Sequence, residues 1–302
     1  MSVTTQHPSY TASLDKWKIV RDAVAGDEAI KAGTTDYLPK PNPTDLSEEN
    51  KTRDEQYLER AMFLGVTGRT KNGLIGAIFR KDPNPVSLPP AIDYMVEDCD
   101  GDGNSLIQFS RDFCRELLET NFTGILTDYP EAPDGLTREQ VTSLALRPTI
   151  SIYPAESIIN WKYMTIGGKQ ILSLVVLKET ENVAEDVYGH ETEDRYRVLK
   201  LVDGVYTQEL YDDNGVLKYE TTPRRGDGSL WNEIPFVLVG DMDSPLYDLA
   251  IVNIAHYRNS ADYEENIYVH GRGTIFINPG EISPEQFKAA NPNGVEIGSR
   301  RG

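Results

Sequence analysis

The chain predicts an α+β fold in which helical segments bracket a β-rich middle, and three observations predict it. Apolar residues recur at three- and four-residue spacing before about residue 120 and again after 245. Between about 148 and 239 they come instead in short β-branched and aromatic runs. Asp203-Gly204 and Asn214-Gly215 then supply hairpin turns among those runs. With 302 residues, 39% of them hydrophobic, the chain has enough material for a substantial core. Its 16 Tyr and three Trp favour packed β-structure or interfaces over a plain helical bundle.

Residues 1–45 read as a short helix followed by an extended arm. Trp17, Ile19, Val20, Ala23 and Val24 keep helical spacing and stop at Gly26, while Tyr37-Leu-Pro-Lys-Pro-Asn-Pro is punctuated by proline. From Ser47 to about Arg80 the pattern is helical, with Tyr57, Ala61 and Leu64 on one face and Leu74, Ile75, Ile78 and Phe79 beyond a glycine break. Residues 82–90 carry four prolines and form a loop. Ser105 is placed to cap the next helix, with Gln108 reaching back to complete a capping box, and Leu106, Phe109, Phe113, Leu117 and Leu118 form its apolar stripe.

Gly124-Ile-Leu-Thr-Asp-Tyr-Pro130 reads as a strand entered through glycine, and 148–154, 171–177, 196–201, 205–211 and 236–239 as further strands. Glu179 to Asp194 holds seven carboxylates and no Lys or Arg, which predicts a solvated loop. From Pro245 the helical period returns. Leu246, Leu249, Ala250, Asn253, Ile254, Tyr257, Ala261, Glu264 and Tyr268 share one side, and 246–269 makes a rod of roughly 35 Å. A strand at Thr274–Asn278 and a short helix capped by Ser283, with Pro284 at its first position, complete the order.

The net charge of −18 argues against tight, general nucleic-acid binding, which needs clustered cations. The same charge suits a protein that surrounds DNA and lets it slide, because a continuous basic track adds friction. Two cysteines, Cys99 and Cys114, give neither a disulfide framework nor zinc spacing; a reducing compartment is expected, with Cys114 a small buried hydrophobe. The first residues lack the basic and apolar regions of a signal peptide, and no apolar run reaches the roughly 20 residues of a membrane helix.

Motifs for chemistry are sparse. Asp98-Cys-Asp100-Gly-Asp102-Gly103-Asn104 begins like a calcium loop, but position 12 is Phe109 where a bidentate Glu belongs, so it reads as a polar turn. Gly65-Val-Thr-Gly68-Arg69-Thr70 is too short for a phosphate loop and lacks its Lys. His7, His190, His256 and His270 show no metal-ligand spacing, although His256 and His270 are expected near each other across a helix and a turn. His256 reads as a packed or interfacial residue. No nucleophile elbow or Cys/His pair stands out, so neither an enzyme nor a cofactor is expected.

Several segments read together resemble one family. They are His7-Pro-Ser-Tyr, Trp17-Lys-Ile-Val-Arg-Asp22, Tyr37-Leu-Pro, Thr67-Gly-Arg-Thr70, Gly73-Leu-Ile-Gly76 and Phe79-Arg-Lys81. Gly124 to Pro130, Tyr153-Pro-Ala-Glu-Ser-Ile-Ile-Asn-Trp161, Ile234-Pro-Phe-Val, Pro245-Leu-Tyr-Asp-Leu-Ala and Asn253 to Glu264 follow. The ordered set is similar to the portal proteins of tailed bacteriophages, in a subfamily long catalogued as a domain of unknown function.

That resemblance implies a portal-like fold with an N-terminal helix and arm (1–45), an α+β wing (46–240), a long stem helix (241–269) and the start of a clip (270–302). A second stem helix and crown are absent, so the chain is expected to be C-terminally incomplete. It implies a homo-oligomeric ring, usually of twelve, at one capsid vertex of the virion, assembled in the host cytoplasm. The ring passes double-stranded DNA during packaging and ejection, without sequence recognition, and docks the terminase motor, head–tail adaptors and the major capsid protein; no membrane is involved. Asp248, Asp262, Glu264 and Glu265 are the expected tunnel-facing acids, while Leu249, Ile254, Tyr257 and Ala261 serve packing. Arg272, Lys288, Arg300 and Arg301 are the expected contacts to motor or adaptor. The alternatives are another head–tail connector or minor capsid protein and, further off, an enzyme with an unrecognised site.

Overall fold

Helix α1, Pro8–Ala25, begins nine residues before the apolar pattern that announces it. Its start is fixed by chemistry rather than by periodicity: Pro8 occupies the first helical position and His7 Nδ1 accepts a hydrogen bond from the Ser9 amide at 3.1 Å. The His7 ring also stacks on Trp161 at 4.0 Å, and its amide donates to the Ile159 carbonyl, so the cap fastens the helix to the sheet behind it. The computed structural model describes residues 2–85, 88–130, 139, 146–183, 188–225, 228–271, 280, 282–290 and 292. Among these, mixed helices and antiparallel sheets give an α+β architecture.

The helices are α1, α2 (Asp27–Ala32), α3 (Glu48–Arg60), α4 (Val66–Ile78), α5 (Leu106–Thr120), α6 (Tyr247–His270) and α7 (Pro284–Ala290). Tyr37 and Leu38, read as part of an extended arm, are buried, and a 3-10 turn at Thr34–Asp36 leads into them. Leu64, expected on a helical face, lies instead in the link between α3 and α4 and is exposed. Helix α3 ends at Arg60 because Ala61 turns to an extended conformation, so the helical register does not reach Leu64. Ser105 caps α5 by accepting from the Gln108 amide, but the Gln108 side chain donates to Asp112 instead of reaching back, and the expected capping box is only half formed. Ser283 and Gln286 do form the reciprocal pair at the start of α7. The expected strand at Thr274–Asn278 lies outside the described residues.

The strands are β1 (Phe122–Asp128), β2 (Thr149–Pro154), β3 (Ile158–Ile166), β4 (Lys169–Asn182), β5 (Thr192–Val202), β6 (Val205–Tyr211), β7 (Leu217–Thr221) and β8 (Phe236–Gly240). They form two antiparallel sheets, one ordered β2-β1-β8 and one a meander from β3 to β7. The chain leaves the small sheet at Pro154, builds the whole meander, and returns along β1 at Phe236. The acid-rich stretch 179–194, expected as a loop, is strand at both its ends: Glu179 pairs with Arg195, Thr180 with Asp194 and Asn182 with Thr192 across β4 and β5. Cations make this possible, since Glu179 is bridged to Arg197 at 2.7 Å, Asp194 to Lys178 at 2.7 Å, and Glu181 to Arg195.

Two hydrophobic cores result. One joins the sheets and includes Tyr10, Trp17, Phe122, Ile158, Trp161, Val175, Leu177, Leu199 and Phe236. The other joins helices and includes Val20, Ala23, Ile30, Tyr37, Tyr57, Phe63, Ala250, Ile254, Tyr257 and Ala261. Helix α1 contributes to both, so the packing groups residues 1–45 with the bodies on either side of it.

Gly124 is required where β1 passes under Phe236. A β-carbon there would sit 2.1 Å from the Phe236 ring and 3.0 Å from Ile158 Cδ1. Gly124→Ala is expected to cost about 1–3 kcal/mol by overpacking, and combining it with Phe236→Leu should recover part of that in chemical denaturation. A fully additive pair would show that the ring is not what demands glycine.

Candidate functional site

Helix α6 is the element that organises the helical half. Its first turn is set by Ser244, whose Oγ accepts from the Leu246 amide, and Asp248 lies near the positive helix end. Ala250, Asn253, Ile254, Tyr257 and Ala261 are buried at helical spacing against α1, α3 and α4. Leu249 is partly buried with them, so the expected packing residues pack on their own chain. Phe63 meets the Tyr257 ring edge-on at 5.9 Å, and Arg258 Nε donates to the Tyr37 carbonyl at 2.6 Å.

Polar contacts take over toward the C-terminal end of α6. Tyr57 donates its hydroxyl to Asp262 at 2.7 Å; burial, and then this bond, push its phenol well above the usual range. Glu265 bridges to Arg53 at 3.1 Å and to Arg60, whose guanidinium lies 4.0 Å from the Tyr268 ring centre. The Glu265 side chain is 13% exposed. It was expected among exposed acids; instead two arginines of α3 hold it. Glu264 is half-buried, and Asp248 and Asp262 remain exposed. His256 is exposed on the outer side, and His270 stands 14 residues on, about 21 Å along the axis, so the two are not near each other.

The outer side of α6 is not an ordinary solvated face. Asp248, Asn259, Asp262 and Asn266 share it with Ile251, Val252, Tyr263 and Val269, and Val252 is 65% and Tyr263 64% exposed. Apolar residues therefore surround the helix, while the chain covers one side of it. Exposed apolar side chains standing among polar ones are common at surfaces that meet a partner.

Away from α6, a cleft of about 910 Å³ lies between the N-terminal residues and the β3 side of the meander, lined by His7, Trp161, Leu174 and Val198 among others. In the Asp98–Asn104 turn, Asp98 accepts from the amides of Gly101 and Gly103 and Asp100 from those of Asp102 and Asn104, so the carboxylates close the turn on themselves. Among the described residues no group of three His, Cys, Asp or Glu side chains is arranged to hold a metal. Cys99 is the buried cysteine, its thiol pushed up to about 11 by burial, and Cys114, expected buried, is half-buried on α5 with its thiol also raised by burial. No helix among the described residues is long and apolar enough to cross a membrane. Of the four expected motor or adaptor contacts, Lys288 is exposed on α7, and Arg272, Arg300 and Arg301 lie outside the described residues.

Two features carry more of the architecture than any residue singled out from sequence. Asn253 of α6 accepts from both the amide and the hydroxyl of Thr67, at 3.2 and 3.0 Å, and donates to the Leu64 carbonyl at 2.9 Å. Arg21 gathers Glu116, Glu119 and Glu156 around one guanidinium. The signal for the first was a polar Asn in the middle of an apolar stripe; the second left none, because its members are far apart in the chain.

Residues 245–302, beginning with α6, match a family described as a domain of unknown function, DUF4055. No curated protein matches the chain.

Proposed function

We propose that this chain is a structural subunit of a closed ring at a bacteriophage portal vertex, with a channel-forming rather than a catalytic role. The observation that carries the reading is α6, a 24-residue helix anchored on one side by its own chain and exposing Ile251, Val252, Tyr263 and Val269 on the other. The order of elements, an α+β body before one long helix, and the ordered resemblance to portal proteins support the same reading. In it Val252 and Tyr263, at one edge of the outer side of α6, meet a neighbouring subunit. Asp248 and Asp262, rather than Glu265, are the acids available to a DNA channel. Terminase, head–tail adaptors and the major capsid protein are the partners, and Lys288 lies on a surface open to them.

Native mass spectrometry and negative-stain microscopy of the protein at high concentration test this directly: a closed cyclic oligomer is expected, and a strict monomer overturns the reading. Burying a side chain such as Val or Tyr contributes about 1.5–3 kcal/mol. Val252→Asp and Tyr263→Asp are therefore each expected to weaken self-association at least about tenfold, while the melting temperature of the monomer stays unchanged. Association unaffected by both changes removes α6 from the contact.

A further inference from the structure

The five-stranded meander is staggered in a way that leaves two opposed arms. Strand β4 pairs with β3 from Lys169 to Leu177 but with β5 only from Leu174 to Asn182. At its first end β4 therefore has β3 as its partner, and at its last end β5. With 14 residues, β4 separates the two ends by about 45 Å. A two-stranded ribbon alone in water is marginal, so each end gains by being covered.

The two ends are opposite in chemistry. The first, the hairpin tip from Lys162 to Gln170, is exposed throughout and carries Tyr163, Met164 and Ile166 with Lys162 and Lys169, and no carboxylate. Gly167 and Gly168, both at positive φ, make its turn. The other end belongs to the stretch with seven carboxylates from Glu179 to Asp194. Ion pairs hold Glu179, Glu181 and Asp194, while Glu191 and Glu193 are exposed and have no ion pair among the described residues. Glu193 lies directly opposite Glu181 across the ribbon; Arg195 takes up the Glu181 charge and leaves that of Glu193 open to a further cation. Tyr188, 86% exposed, supplies an apolar surface beside them.

We infer that the lysine-bearing hairpin tip of one copy docks on the acidic β4–β5 end of the next, so that the meander forms a head-to-tail contact between subunits. The occupant is a second copy because both halves of the match, apolar with cationic and apolar with anionic, lie on one chain about 45 Å apart. Two different faces meeting is the geometry that generates rings or filaments rather than two-fold dimers. The inference rests on the ring reading for its biological setting, but the contact itself is separable from it.

Charge exchange tests it by sedimentation velocity on the full chain. Lys162→Glu with Lys169→Glu, and separately Glu191→Lys with Glu193→Lys, are each expected to weaken association roughly tenfold or more, and the four changes together to restore most of it. A second measurement follows proximity: Thr165→Cys and Tyr188→Cys proteins should form an interchain disulfide when mixed, and far less when either is oxidised alone. Cys99 and Cys114 interfere little, since burial raises both thiols. Association that ignores both exchanges overturns the contact while leaving the ring reading standing. Contact-dependent chains that stay open overturn the ring and leave the contact. A hairpin whose lysines instead bind duplex DNA, with no effect on association, overturns the inference.

Discussion

Replacing Arg21 by methionine is expected to cost about 2–4 kcal/mol of folding stability, read as a lower denaturation midpoint at unchanged m-value. The guanidinium reaches Glu116 at 2.6 Å, Glu119 at 2.7 Å and Glu156 at 3.0 Å, tying α1 to α5 and to the turn after β2. Lys71 of α4 joins at Glu119, 2.8 Å away, so four elements meet in one network. Glu119 is the costly member: its side chain is 8% exposed, and without Arg21 it keeps a single cation. Removing one partner of a buried pair typically costs about 3–5 kcal/mol. The loss here is smaller because the Arg21 side chain is 25% exposed, which lets water screen part of it. Arg21→Lys should recover only a part, since a point charge cannot bridge three carboxylates as a planar fork does. Adding Glu119→Gln to Arg21→Met should also recover some stability by removing the buried charge. A change below about 0.5 kcal/mol in Arg21→Met would mean the network is surface decoration.

The elements legible in the sequence were those whose signal is local. The period of Leu246 to Ala261 located α6 within a residue at each end, because burial of one face imposes that spacing. Asp203-Gly204 marked the β5–β6 hairpin because both residues adopt positive φ, which few other pairs tolerate. Strand β3 was missed for the opposite reason: its inner half is buried and its outer half exposed on both sides, so no alternation appears. The acid-rich β4–β5 end read as a loop because its charges are neutralised by Lys178, Arg195 and Arg197, and which charges meet depends on register. The same limit applied to the acids of α6. Sequence placed Asp248, Asp262, Glu264 and Glu265 on the helix, but only the packing of α3 shows that Glu265 is already neutralised.

Asn253→Leu is expected to cost about 3–4 kcal/mol, because it strands three polar groups at once. Gly65, the residue that precedes α4, offers no side chain to cap the free amides of the first turn. Asn253 supplies the missing oxygen from another helix, accepting from the Thr67 amide and hydroxyl, while its own amide satisfies the Leu64 carbonyl. Both Asn253 and Thr67 are buried, so water cannot replace the lost bonds. Asn253→Asp keeps the acceptor, and its charge faces the positive end of α4, but it loses the donor to Leu64; an intermediate cost is expected. Thr67→Val in the Asn253→Leu background should cost less than Thr67→Val alone, since its hydroxyl has by then lost its acceptor. Hydrogen exchange locates the damage: amides at 64–70 should open first in Asn253→Leu, ahead of the meander. A loss under about 1 kcal/mol, or exchange that rises evenly through the chain, would show that α6 and α4 are held together by their apolar contacts alone.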